Sequence, residues 1–153
     1  MTETVTAIPW YIARPEGTGG PGAGTLWDRS TTPPTVVRLV HVLRTWLGDD
    51  LVSAYPCHLV TDRLARVLAE SRLTGYELDE VTVLLSEDFP DSLSPELLSA
   101  ALPQFRWLKL TGTPNKDDLW PAGDGAIGMS EAAYTLLQVS VRLSHCEVRP
   151  LVR

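Results

Sequence analysis

The side chains best suited to metal or nucleophilic chemistry in this chain form two adjacent pairs, Cys57-His58 and His145-Cys146. Four such groups are the donor set of a zinc site, and a thiol beside an imidazole is the start of a nucleophile with its base. Adjacent residues on a strand point to opposite faces, so each pair offers a shared ion one side chain at most. CxxC hooks are missing, and no nucleophile signature surrounds either cysteine. The expectation is therefore no metal and no cofactor, with both thiols as packing groups. Carboxylates are the second chemistry-bearing set. Asp117 and Asp118, with Asp124 nearby, lack the spacing of a calcium loop, and nothing fixes the separation of Glu87, Asp88 and Asp91. Both groups read as solvated loop acids. Serine chemistry has no support without a GxSxG elbow, and the Gly-rich stretch after Glu16 opens no helix that would cradle a phosphate.

The elements that must position these residues are led by an internal echo. His58 to Val81 and Ile127 to Leu151 align with Thr61 on Ser130, Asp62 on Glu131, Leu68 on Leu137 and Ser71 on Ser140. After one inserted residue, Glu77 falls on Glu147 and Leu78 on Val148. Each copy reads as strand, helix, strand. Thr61 is the expected N-cap of the first helix and Asp62 a favourable charge in its first turn, with Leu64, Val67 and Leu68 as the buried stripe. Gly75 suits the left-handed end of that helix. The following strand changes parity across Asp79-Glu80, which predicts a bulge or bend, and Pro150 takes the place of Glu80 in the second copy.

Elsewhere, Ile8 to Ile12 reads as a short edge strand and Phe105 to Leu110 as another. Ser94-Pro95-Glu96 reads as the start of a helical turn. Val36, Leu39, Val40, Leu43 and Leu47 recur at helical spacing after Thr35 as cap, predicting a helix ended by Gly48, with His41 and Trp46 as boundary packing residues. Residues 16–25 are expected to be a flexible loop, and Gly112 to Gly125 a long loop of the kind that is often functional.

The chain has 153 residues, 44% hydrophobic and 21% charged, enough for one domain with a real core. No apolar run is long enough to span a bilayer, the acidic N-terminus is unlike a signal peptide, and two cysteines fit a reducing cytoplasm. A net charge of -6 opposes nucleic-acid binding. Between Leu73 and Phe105 there is no Lys or Arg, while Glu77, Asp79, Glu80, Glu87, Asp88, Asp91 and Glu96 are present. Such a stretch would steer a basic partner, or simply keep the protein soluble. Trp107 and Trp120 flank the long loop as candidate exposed aromatic anchors.

The segment from Leu102 to Val152, with Leu-Pro-Gln-Phe-Arg-Trp-Leu, a Gly-rich Asp-Asp loop, Met-Ser-Glu-Ala-Ala-Tyr-Thr-Leu-Leu and Cys-Glu-Val-Arg-Pro-Leu, resembles immunity proteins of bacterial polymorphic toxin systems. These include the group with a double CxxCG motif and its relatives. The CxxCG pairs are missing here, so that group's metal-binding part does not carry over, and the resemblance implies occlusion of a toxin without catalysis.

These readings predict a single α+β domain over residues 1–153, with a mixed sheet, a few helices and two pseudo-repeated strand-helix-strand units at about 58–85 and 126–152. The expected function is a non-enzymatic, cytoplasmic inhibitor that binds a basic protein partner, with no nucleic acid and no membrane, through Glu80, Glu87, Asp88, Asp91, Trp107 and Trp120. The alternative is a small enzyme or ligand-binding protein of a biosynthetic pathway, with Asp117, Asp118, His58 and His145 as acid and base in a cleft between the two units.

Overall fold

A computed structural model describes residues 9–87 and 102–151. These form a single small α+β domain, mostly sheet, with two helices. The chain runs through β1 (Trp10–Arg14), β2 (Glu16–Gly17), β3 (Gly19–Pro21), β4 (Leu26–Asp28), β5 (Thr35–Leu43), β6 (Leu51–Ala54) and β7 (Cys57–Thr61). Helix α1 (Asp62–Glu70) follows, then β8 (Tyr76–Asp79), β9 (Val81–Leu85) and β10 (Phe105–Leu110). The last elements are β11 (Leu119–Gly123), β12 (Ala126–Ser130), α2 (Glu131–Ser140) and β13 (Glu147–Pro150). The Ser94-Pro95-Glu96 turn lies outside the described residues.

The central sheet has the order β2-β6-β7-β10-β8 and is covered on both faces. Pleating sends alternate residues to opposite sides, and the core divides accordingly. Leu51, Val60 and Leu108 face a cluster with Leu64, Leu68, Ala133 and Leu137 of the helices, whereas Val52, Leu59 and Trp107 face a second cluster with Leu39 and Leu43. Every residue of β7 is buried. Each fully buried leucine in these clusters contributes roughly 2 kcal/mol.

The cluster containing the helices is closed by a second sheet, β11-β12-β1-β13, and the other cluster by a third, in which β5 pairs β3 and β4 along one edge and β9, in parallel, along the other. In the central sheet β10 lies between β7 and β8; in the second sheet β1 lies between β12 and β13. Both helices start as their sequences demand. The hydroxyl of Thr61 accepts the Leu64 N–H, and that of Ser130 accepts the Ala133 N–H.

Three local expectations are corrected. The segment from Thr35 to Leu43 is a strand, not a helix. Its β-branched residues Thr35, Val36, Val37, Val40 and Val42 suit a pleated surface, and Leu39, His41 and Leu43 form the buried alternate face. Residues 16–25 are not a flexible loop, because Thr18 is fully buried between two pairing partners. Its N–H donates to the Ser53 carbonyl and its own carbonyl accepts the Arg44 N–H. Gly19 at φ 144 lets the backbone pass where a Cβ would stand 1.9 Å from the Val42 carbonyl oxygen. Finally, the long stretch from Gly112 to Gly125 contains β11 and the turn into β12, where Asp124 (φ 52) and Gly125 (φ 78) are both left-handed, as a two-residue hairpin requires.

Two hydrogen-bond clasps, one largely buried and one partly exposed, tie the start of each helix to the loop after the other. The Asp50 carboxylate accepts the Thr61 hydroxyl at 2.7 Å and the Arg142 N–H at 2.7 Å, tying the start of α1 to the loop after α2. The Asp118 carboxylate accepts the Ser130 hydroxyl at 2.7 Å and the Thr74 N–H at 3.0 Å, tying the start of α2 to the loop after α1. Replacing Asp50 by Ala leaves two donors without partners in a buried site, and is expected to cost about 2–4 kcal/mol by urea denaturation. Asp118→Ala, at a more exposed position, is expected to cost about 1–2 kcal/mol. Equal, negligible losses at both positions would remove the clasps from any account of stability.

Candidate partner-binding cleft

The chain changes sheets within one residue. β8 pairs β10 in the central sheet, β9 pairs β5 in the third, and Glu80 is the joint between them. The Asp79 carboxylate accepts the Glu80 N–H at 2.7 Å and fixes the bend expected from the parity switch. That bond is the chief reason the Asp79 carboxyl lies below the usual carboxylate range; desolvation opposes it, and Lys109 and Arg106 add to the lowering.

As the two sheets diverge they leave a cleft of about 700 Å³, with Val37, Arg38, Asp79, Glu80, Arg106 and Trp107 among its lining residues. Glu80 is exposed at its lip and Glu87 is exposed beyond the end of β9. Asp88 and Asp91 lie outside the described residues. Although the sequence from Leu73 to Phe105 contains no basic residue, neighbouring strands bring three to the acids. Lys109 Nζ is 3.5 Å from the Asp79 carboxylate, Arg106 Nε donates to the Asp79 carbonyl, and Arg38 lines the same cleft. The cleft therefore carries both signs of charge, and among the described residues Glu80 on its lining and Glu87 farther along the chain form no ion pair.

The two tryptophans expected as exposed anchors are core residues. Trp107 is 5% exposed and Trp120 is 6% exposed. The Trp107 ring packs against Leu59 and Leu39 in the core and carries Lys109 Nζ 4.8 Å from its centroid. Trp120 lies over Gly128, its partner in the β11–β12 register, where a Cβ would meet the indole at 2.2 Å. A glycine eight positions after a tryptophan, across a hairpin turn, was the available signal for that packing.

Each residue of the alternative acid/base set is engaged in a different place. Asp117 accepts the Thr113 N–H, Asp118 forms its clasp, His58 Nε2 meets the Gly125 carbonyl at 2.8 Å and His145 Nδ1 meets Asp49 at 3.2 Å. Among the described residues these four do not gather into one donor group; Glu16, Asp49 and His145 do, a grouping that sequence spacing gave no reason to expect. Both cysteines are free, and burial pushes the Cys57 thiol up to about 11 and the Cys146 thiol up to about 12. Held protonated, they are poor nucleophiles at neutral pH.

The chain matches no family model, no curated protein and no solved structure.

His41, expected at a boundary, is fully buried on β5, opposite Pro21 of β3, with Nε2 3.1 Å from the Thr18 hydroxyl oxygen. That hydroxyl donates to the Ser53 carbonyl, so the imidazole donates to it from Nε2. Burial drives the His41 pKa down to about 4, opposed by a hydrogen bond to the Gly20 backbone. A lowered folded pKa means the unfolded chain takes up this proton first. The stability held above pH 6.5 is then lost as pH falls towards 4, with a slope of up to about 1.4 kcal/mol per pH unit from this group. Chemical denaturation of wild type and His41→Met across that range should show a steeper slope in wild type, since the variant keeps only the contribution of His58, whose pKa burial also lowers; an identical slope in both would refute the assignment.

Proposed function

We propose that this chain is a non-enzymatic protein-binding inhibitor of the immunity-protein type, acting in the cytoplasm on a basic partner such as a toxin. The observation that carries this reading is the placement of Glu80 and Glu87, which stay exposed on the β8–β9 arm while the neighbouring Asp79 is matched by Lys109 and Arg106. Exposed acids without an ion-pair partner raise the local concentration of a basic protein and favour its docking in one orientation. The cleft beside them offers the apolar walls Leu26, Val37 and Phe105 for the desolvated centre of such a contact. Within this reading Trp107 acts from beneath, as the floor of the cleft, and Trp120 only supports the fold. Among the described residues no helix is long and apolar enough to cross a membrane, which is compatible with a cytoplasmic site of action.

The two segments around α1 and α2 are further proposed to be copies of one unit. Support comes from their shared order of hairpin, capped helix and strand, and from the reciprocal clasps of Asp50 and Asp118. In such an arrangement the middle strand of each sheet comes from outside the copy it completes, β10 from the segment before the second copy and β1 from the start of the chain. That dependence leaves neither copy able to complete its sheet alone.

The test is affinity for the product of the gene next to this one, with growth rescue on co-expression. Glu80→Lys with Glu87→Lys should weaken binding by at least about ten-fold, mainly through slower association, and the loss should shrink at high salt. Adding Asp88→Lys and Asp91→Lys should deepen it. Unchanged affinity in the four-fold variant, or no rescue by wild type, would refute the reading.

A further inference from the structure

We propose that Glu16, Asp49 and His145 form a binding site for a divalent transition-metal ion of the zinc class. The site is separate from the partner-binding reading and does not rest on it. Its three residues arrive from distant parts of the chain: Glu16 from β2, Asp49 from the connection between β5 and β6, and His145 from the loop entering β13. One ligand atom from each lies within 4.8 Å of the other two. Metal–ligand bonds of about 2.1 Å place neighbouring ligand atoms about 3.0–3.4 Å apart in octahedral or tetrahedral geometry. His145 Nδ1 and Asp49 Oδ1 already stand at 3.2 Å, so an ion would ask only for a small inward movement of Glu16.

Charge supplies an independent reason. The Asp49 side chain is fully buried and Glu16 is 9% exposed. Among the described residues neither carboxylate has a lysine or arginine within ion-pair distance, and His145 is the one ionisable cation that reaches either. Two desolvated carboxylates side by side repel, and burial followed by the nearby Asp49 charge raises the Glu16 pKa. Backbone N–H groups relieve this only in part. Leu47 donates to Glu16 at 3.3 Å and His145 donates to Asp49 Oδ2 at 2.8 Å, each leaving carboxylate lone pairs free. A divalent ion neutralises both charges at once. One imidazole with two carboxylates suits zinc better than the all-oxygen set preferred by magnesium. The His145 side chain is 38% exposed, which gives an ion its entry path and leaves a coordination position for water. Bound there, the ion would pin β2, the Asp49 turn and the loop before β13 to one another.

Calorimetric titration of the full chain with zinc sulfate at pH 7.5 should give one ion per chain at micromolar affinity, with no response to magnesium. His145→Ala and Glu16→Gln should each weaken zinc binding by at least about ten-fold, while Asp117→Asn should leave it unchanged. Zinc should raise the melting temperature of wild type and not of the folded His145→Ala variant. Since a variant might lose the site by losing its fold, the wild-type His145 Nδ1 resonance provides a second readout, and it should shift on zinc addition. Millimolar binding only, or a His145 resonance unmoved at saturating zinc, overturns the proposal, as does equal affinity in the folded variants.

Discussion

The Asp50 and Asp118 carboxylates hold the architecture together, because each bonds the N-cap of one helix and the backbone of the loop that follows the other helix. A carboxylate is suited to this double duty. Its two oxygens accept in different directions, so one residue fixes both a helix start and a crossing segment. The N-cap hydroxyls of Thr61 and Ser130 are shared in the same way, each accepting an N–H of its helix while donating to the aspartate. Removing one aspartate therefore loosens a cap, a loop and the joint between them together, which is a larger disturbance than losing an ordinary surface bond. The cooperative effect is greatest at Asp50, which is buried and so cannot exchange its partners for water.

With the joint fixed, the remaining geometry follows from the pleat of the central sheet. Its two faces are both apolar, one turned to the helices and one to β5, so the sheet behaves as a middle layer rather than a half-wet surface. A middle layer must hand its chain to a neighbouring layer somewhere, and the transfer from β8 to β9 at Glu80 does so in one residue. Two sheets that share a continuous strand at one point diverge beyond it. The cleft is the space left by that divergence, and Glu80, the one residue between the two strands, is exposed there.

How much of this was legible depended on whether a feature was local. The helices at Asp62–Glu70 and Glu131–Ser140, their caps at Thr61 and Ser130, the strand at Phe105–Leu110 and the bend at Asp79-Glu80 are all specified by residues within a few positions of each other. The strand at Thr35–Leu43 was misread because its buried alternate face includes a histidine, which broke the period-two pattern and left Val36, Leu39, Val40 and Leu43 to mimic a helix. Its β-branched content was the better guide. Asp124-Gly125 is a hairpin signal set in a stretch whose other glycines, prolines and aspartates suit a loop. The clasps were beyond reach of pattern reasoning, since Arg142 lies 92 positions from Asp50 and Thr74 lies 44 from Asp118. The charge of the cleft was misjudged for the same reason: Arg38, Arg106 and Lys109 come from other strands.

The two clasps are alike in plan and unequal in reinforcement. The loop after α1 is held by Asp118 at Thr74 alone, through its N–H and its hydroxyl. The loop after α2 is held twice, by Asp50 at Arg142 and by Asp49 at the His145 N–H and ring. Consecutive aspartates thus grip residues three apart, and the second grip draws in Glu16 through the backbone of Leu47 and Asp49. An added pair of buried carboxylates is costly, so stability alone does not account for it; the Asp118 clasp does without one. The zinc site proposed for Glu16, Asp49 and His145 would account for the pair, because an ion there neutralises both carboxylates. Occupancy at Asp49 acts directly on the loop that Asp50 clamps, and from there on the cap of α1.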